Sequence, residues 1–397
     1  MEKIVKRACE ENYMWSLDKC LVFLLLLFEC NPTLALFDIV QYLIFSLICF
    51  RLCLLKSNIF LNDYTKYYFY FTIWCIFSLL WSVSFEDAVG NIVMVIKCLL
   101  IFLYFTNVKI SLRFVCFIYV IINSIDALVL LPNIDLMSIL ERGSRGTHVV
   151  MGVTWSINII CTMFSFSVFF LFLFYTHEKN AYRKSLYLLI SAPLFYDIFL
   201  LGSRQALILS FGSIILYYVI KGFQKPTQKN ILRILLTLSL VALILTYVIN
   251  DPFLNQTIGR RLVRTYIDEA SDNGRIELIR EGFSNFLYSP LLGTGLGSYR
   301  ILIHNVNAYA HNNYIELLVS CGVVGCAVYH AMIFSPIANI RNKEGKLTLE
   351  QKNIVYVLVI MVLFSEMVIV TYQVFQYQFM IYVAFMISKY SKTKNYE

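Results

Sequence analysis

Apolar runs follow one another along this chain, each near the ~17–25 residues that cross a hydrocarbon core roughly 30 Å thick. They fall at 16–31, 33–55, 67–83, 88–106, 112–131, 148–175, 185–202, 204–220, 231–249, 313–335, 353–370 and 372–389. In hydrocarbon every backbone polar group must be bonded internally, so the runs predict helices. The ten-residue alternation of a β-barrel is absent. The pattern therefore predicts an all-α polytopic membrane protein of about twelve transmembrane helices, a single integral membrane domain over residues 1–397. Asp18, Lys19 and Glu29 crowd the first run, and Gly202-Ser203 and Thr371 would be tight hairpins, so eleven or thirteen spans also fit.

One long polar stretch, residues 250–311, interrupts the pattern between the ninth and tenth runs. Arg260, Arg261 and Arg264 open it, and Ser271-Asp272-Asn273-Gly274 reads as a capped turn. From Arg275, Ile276, Ile279, Phe283, Phe286 and Leu287 recur at helical spacing, which predicts an amphipathic helix over about 275–288, lying on the membrane surface or over the bundle. Ser289-Pro290 ends it, because the residue before proline disfavours the helical region. Gly293, Gly295 and Gly297 follow. Without a preceding strand or a βαβ unit they do not read as a dinucleotide site, and they fit a chain that re-enters and packs close to helices. Asn313 with Glu316 predicts a capping box at the tenth helix. His311 stands just before it, where the positive helix end disfavours imidazolium and favours the neutral ring that a general base needs. An interfacial anchor is the other reading of His311.

Composition agrees with a membrane class: 59% hydrophobic and 15% charged residues, with a mean hydropathy of +0.69, where soluble domains carry roughly a quarter charged residues. Most of the 33 Lys and Arg residues fall on one side when both termini are placed in the cytoplasm. This is the positive-inside bias, so the +8 net charge is topogenic and gives no reason to expect nucleic acid as a partner. The basic residues on the opposite side, Arg142, Arg145, Arg204, Arg260, Arg261, Arg264, Arg275, Arg280 and Arg300, are all Arg. Guanidinium grips phosphate bidentately where ammonium is a point charge, so this bias fits a phosphorylated substrate met from outside, alongside a general avoidance of Lys there. The eleven cysteines lie mostly within the apolar runs and form no CxxC pair. His304 and His311 lack an evident third ligand, so no metal is expected. No cleavable signal peptide is expected before the first run. Arg204 reads either as an Arg snorkelling to the interface or as a site residue, with Asp197 seven residues earlier as its orienting group or counter-ion. Lys97, Asp126, Asp197 and Glu366 are costly inside a membrane and are expected to pair across helices.

Together, Gly202-Ser203-Arg204, Arg275, the run Pro290-Leu291-Leu292-Gly293-Thr294-Gly295, His311-Asn312-Asn313-Tyr314 and Gly322-Val323-Val324-Gly325 resemble the O-antigen ligase/polymerase superfamily of bacterial membrane glycosyltransferases, over roughly residues 195–330. The resemblance implies a GT-C-like bundle in the cytoplasmic (inner) membrane with its main loop outside. It also implies metal-independent, cofactor-free glycosyl transfer from a glycan on undecaprenyl diphosphate to an acceptor hydroxyl. The acceptor is another lipid-linked glycan in a repeat-unit polymerase of O-antigen or capsule, the favoured reading, or lipid A-core in an O-antigen ligase. By motif match, Arg204 and Arg275 would hold the diphosphate and His311 would activate or position the acceptor. Arg280 and Arg145 are added from charge and side, and Asn312 and Tyr314 as substrate contacts. Flippase and chain-length regulator proteins are the expected protein partners. A lipid-linked sugar flippase is the reading from another class. It would place its polar groups near the midplane, which only Lys97, Asp126 and Glu366 suggest.

Overall fold

The computed structural model describes residues 17–55, 59–134, 149–151, 153–154, 156–224, 227–251, 269–303, 310–342 and 347–389. A helix stands at every one of the predicted apolar runs. They are α1 (17–30), α2 (Asp38–Leu54), α3 (Asp63–Phe77), α4 (Phe85–Asn107), α5 (Leu112–Leu130), α6 (Ile157–His177), α7 (Ala181–Leu200), α8 (Arg204–Gln224), α9 (Gln228–Asn250), α12 (Asn313–Asn342), α13 (Leu349–Glu366) and α14 (Phe375–Lys389). Between α9 and α12 lie α10 (Glu269–Tyr288) and the single turn α11 (Tyr299–Leu302). Among the described residues, five helices are both long and apolar enough to cross a membrane: α4, α5 with its continuation to Asn133, α6, α8 and α12. Others are short for a straight crossing, α3 and α14 having 15 residues each.

Three of the boundaries that differ from the sequence reading are informative. The run predicted to start at 148 is a helix only from Ile157; before it Val149–Val150 and Val153–Thr154 pair as an antiparallel hairpin (β1, β2), where β-branched side chains are at ease. The amphipathic helix begins at Glu269, not near Arg275, so the expected turn at 271–274 is helical; Glu269 and Asp272 then occupy an opening turn whose positive end favours acidic residues. The tenth run extends to Asn342, through Pro336.

The core centres on α14, nearly all of whose side chains are buried. Aromatic rings fill its contacts with α3 and α4: Phe375 stacks on Phe102 at 5.8 Å, and Tyr382 packs on Phe102 and Tyr64 at 5.2 and 5.6 Å. Large side chains such as Ile39, Leu80 and Phe223 stand over 80% exposed on the outside of the bundle, as a lipid-facing surface requires. The costly charges do not pair with one another. Lys97 meets Glu29 at 2.6 Å, and Asp126 accepts a bond of 2.6 Å from Asn31. Arg51 forms a two-pronged pair with Asp18 at 2.9 and 3.0 Å. No ion pair joins Asp197 to Arg204 among the described residues, and neither carboxylate oxygen of Asp197 has a hydrogen-bond partner there. A turn at Leu201-Gly202, with Gly202 at φ +58°, separates their helices.

The feature that shapes the site is a break in α12. Gly322 takes φ 64°, ψ −173°, and the helical bonds from residues 323 and 324 back to 319 and 320 are replaced. Thr294 N–H donates to Val319 O at 2.8 Å and Gly295 N–H to Ser320 O at 3.0 Å, while Val323 and Val324 donate to Pro290 O and Leu291 O at 2.9 and 3.4 Å. The next carbonyl, Cys321 O, accepts from the Trp74 indole of α3 at 3.0 Å. The glycine-rich loop is thus laced into the helix. Irregular backbone is tolerated at such depth when protein satisfies it. A Cβ on Gly322 would stand 2.2 Å from Leu291 O, and one on Gly293 2.5 Å from Gly322 N. That explains why the two glycine motifs occur together.

Candidate functional site

The laced loop brings α4, α11, the start of α12 and the turn between α13 and α14 to one end of the bundle, the end that the charge pattern assigns to the outside. Val83 N–H donates to Thr294 O at 3.2 Å, and Leu296 N–H to Ser78 Oγ at 3.3 Å, which fastens the loop to the turn between α3 and α4. A cavity of about 310 Å³ opens there, lined by Asp87, Asn91, Ser156, Asn158, Gly297, Arg300, Glu316, Tyr372 and Gln373 with a few aliphatic neighbours. About half of its wall is polar, made of amides, hydroxyls, carboxylates and the Arg300 guanidinium, and the other half is apolar. A second hollow of about 330 Å³ lies at the opposite end, with apolar walls from α5, α6, α13 and α14 and Arg113, His177 and Glu350 at its rim. That hollow is slightly larger, but none of the described predicted site residues lines it.

His311 sits half-buried at the entry to α12 with φ +48°, a backbone conformation that few side chains adopt and that directs the chain into the helix. The expected capping box is replaced by another arrangement. Asn312 is the cap, its Oδ1 accepting from Ile315 N–H at 3.1 Å. Glu316 reaches past the cap to accept Ala310 N–H at 3.2 Å. Asn313 is buried and turned the other way: its Oδ1 accepts from Thr371 and Tyr372 N–H at 2.9 and 3.3 Å, and its amide donates to Glu366 at 3.0 Å. One residue of difference in the cap decides which of the two Asn side chains faces the core.

Asn313 belongs to a buried polar network that sequence reasoning missed. Glu366 also accepts from Thr371 Oγ1 at 2.9 Å and lies 3.3 Å from His330 Nε2. Tyr329 bridges Thr371 and the Gln378 amide at 3.1 and 2.9 Å. Tyr314, expected to touch substrate, stacks on His330 at 5.3 Å and donates its hydroxyl to Leu363 O at 3.1 Å. Its hydroxyl is therefore engaged in holding α12 to α13. The network ties the segment that carries His311 to the turn at 367–374.

The other predicted residues are distributed as follows. Arg204 is the first residue of α8 and is half-buried. Arg280 is exposed on α10. The backbone of Arg275 lies in α10, and its side chain falls outside the described residues, as do Arg145 and His304 entirely. Neither Arg204, Arg280 nor His311 lines the polar cavity. Arg300 and Glu316 do line it, and they lie within electrostatic reach of each other. The signal that marks them was available in part: Asp87 and Asn91 are spaced to share one helix face, and Arg300 was one of the outward arginines. Tyr299 anchors this region, its hydroxyl donating to Leu278 O at 2.8 Å, and burial pushes its phenol pKa well above the usual range. No group of three or more His, Cys, Asp or Glu side chains suited to a metal occurs among the described residues.

Comparison with known proteins adds two findings. Residues 186–330 match the Wzy_C family, described as O-antigen ligase. The matched interval runs from α7 through the laced loop and the break in α12. A segment of the chain is 26% identical over 186 residues to the teichuronic acid biosynthesis protein TuaE of Bacillus subtilis; the match covers 44% of this chain and 38% of that relative.

Proposed function

We propose that this chain, whose residues 186–330 match a family described as O-antigen ligase, polymerises glycan repeat units carried on undecaprenyl diphosphate. The transfer takes place at the outer face of the cytoplasmic membrane. The observation that carries this reading is the polar cavity lined by Arg300 and Glu316, Glu316 standing in the first turns of the helix that His311 precedes. A repeat unit on its carrier lipid meets the outer end of the bundle with the sugars in water and the diphosphate at the interface.

In this reading Arg204 and Arg275 hold the diphosphate. The leaving group departs with growing negative charge, and guanidinium groups fixed around it stabilise the transition state more than the ground state. His311 engages the acceptor hydroxyl. Both reactants are held by lipid and delivered to one cleft, which supplies proximity without a metal or cofactor. Arg280 and Arg145 assist in gathering the anionic donor, while Asn312 acts through the helix it caps.

Polymerisation is favoured because the relative is named for the biosynthesis of a polysaccharide, teichuronic acid. Ligation to lipid A-core is the second reading, favoured by the description of the matching family as O-antigen ligase. Glycan display in a strain deleted for this gene, complemented by wild type or His311→Ala, separates them. Single repeat units at the surface, restored to long chains only by wild type, support polymerisation. Full-length polymer retained on carrier lipid in the deletion strain overturns it in favour of ligation. Units trapped inside the cell point to a flippase.

A further inference from the structure

We propose that the polar cavity is the acceptor-sugar subsite and that Glu316 is the proton acceptor for the attacking hydroxyl. The inference rests on the glycosyl-transfer reading above and assigns a catalytic role to a residue that the helix start alone would explain as a cap. Three observations carry it.

First, Glu316 is not the cap. Asn312 performs that task, and Glu316 uses one carboxylate oxygen to hold Ala310 N–H, the residue next to His311. A carboxylate only 4% exposed is a costly choice where a cap is already present. Second, Glu316 is part of the cavity wall, with Arg300 in electrostatic reach across it. Third, the remaining polar wall suits a sugar. Asp87, Asn91, Asn158 and Gln373 offer amide and carboxylate partners to hydroxyls that both donate and accept, and Tyr372 lends an aromatic ring. Ser84 donates to Asp87 Oδ2 at 2.7 Å, which fixes that wall residue in place. The volume, about 310 Å³, lies at the low end of small-molecule sites, roughly 300–1,000 Å³, and fits the end of a glycan rather than a whole repeat unit.

The step balances as follows. The acceptor oxygen attacks the anomeric carbon and its proton passes to the Glu316 carboxylate. The bond from that carbon to the diphosphate oxygen breaks, and its electron pair leaves on the diphosphate.

The test uses full-length protein in nanodiscs and, as donor and acceptor, carrier-linked repeat units extracted from the deletion strain. Rates are measured against their concentration for wild type, Glu316→Gln, Glu316→Asp and His311→Ala. Gln keeps an oxygen for Ala310 N–H, so a wild-type melting temperature is expected. Loss of a general base lowers kcat about 10²–10⁴-fold, with KM little changed and part of the rate regained by Asp. Wild-type kcat in Glu316→Gln overturns the assignment while leaving the transferase reading intact, provided His311→Ala is inactive. A loss in Glu316→Gln that comes with a lowered melting temperature and no rescue by Asp also overturns it, in favour of a structural carboxylate. Absence of any transfer by wild type from these substrates would instead sink the functional reading itself.

Discussion

Gly322→Ala is expected to expel the glycine-rich loop from α12. The native φ 64°, ψ −173° belongs to a region essentially restricted to glycine, and a non-glycine residue there costs about 1–3 kcal/mol. The new Cβ would lie 2.2 Å from Leu291 O and 2.6 Å from Gly293 N, both backbone atoms that no side-chain rotation can move away. Relief requires the loop to retreat. Four backbone hydrogen bonds are then lost, and two are regained if residues 323 and 324 return to 319 and 320 as ordinary helix. At roughly 0.5–1.5 kcal/mol net for each bond, the two that do not return cost about 1–3 kcal/mol. The retreat lets residue 322 take helical φ and ψ, so the strain is released and the net cost is that of the two lost bonds, about 1–3 kcal/mol. An unfolding entropy near 2.1 cal/mol/K per residue over 397 residues converts this to a drop of about 1–4 °C in melting temperature. Buried Cys75, Cys98, Cys116 and Cys321 make a thiol-reactive maleimide dye a direct reporter of unfolding in detergent. Gly90→Ala is the control: nothing lies within 4 Å of its Cβ, so it is expected to melt at or above wild type. If Gly322→Ala melts with wild type and Gly90→Ala, the lacing of loop into helix contributes nothing, and the reasoning fails.

Other outcomes follow from the same structure. Arg275→Lys keeps charge but loses bidentate geometry, so polymer output should fall sharply in well-expressed protein; normal chain length on a glycan gel would remove Arg275 from the diphosphate clamp. His311→Ala should abolish transfer at an unchanged melting temperature, and undiminished turnover would end its assigned role. Glu366→Ala strips partners from Asn313, Thr371 and His330 at once and is expected to cost about 3–5 kcal/mol, read as a lower melting temperature. Trp74→Phe deletes the indole bond to Cys321 O, worth about 1 kcal/mol, and trims a ring that packs on Trp81 at 6.0 Å; a melting temperature equal to that of wild type would mean that neither contact holds the break.

Periodic hydrophobicity was enough to locate the helices, because a run that must satisfy its own backbone in hydrocarbon has one local solution. The amphipathic α10 was legible for a related reason, although its start at Glu269 was not, since turn residues and first-turn acidic residues compete over 269–274. The capping box failed on a contest between two adjacent asparagines. Either can cap, and the winner is set by Glu366 and Thr371, more than fifty residues on, which need Asn313 in the core. Glu366 itself was visible as a costly charge, but its partners come from α12 and from the turn before α14. Arg300 and Glu316 come to line one cavity with Asp87 and Asn91 of α4, a juxtaposition that no local spacing encodes. His311 stands out in the sequence by position alone, at the mouth of a helix, and the structure places it there with φ +48°; its part in transfer is the reading proposed above.

The interrupted helix also bears on how the protein is made. Residues 290–295 leave the ribosome before α12, while Trp74 was synthesised long before either. Until the loop docks, residues 319–324 can satisfy themselves as unbroken helix, so α12 is expected to enter the bilayer straight. Docking then exchanges two local bonds for four distant ones, a slow rearrangement of high sequence separation. Competence would therefore arise after membrane insertion, as a separate maturation step. Pulse-labelled chains should show Cys321 reacting with a membrane-permeant thiol reagent at first and becoming shielded later; protection already complete at the end of synthesis would mean that the lacing forms during insertion.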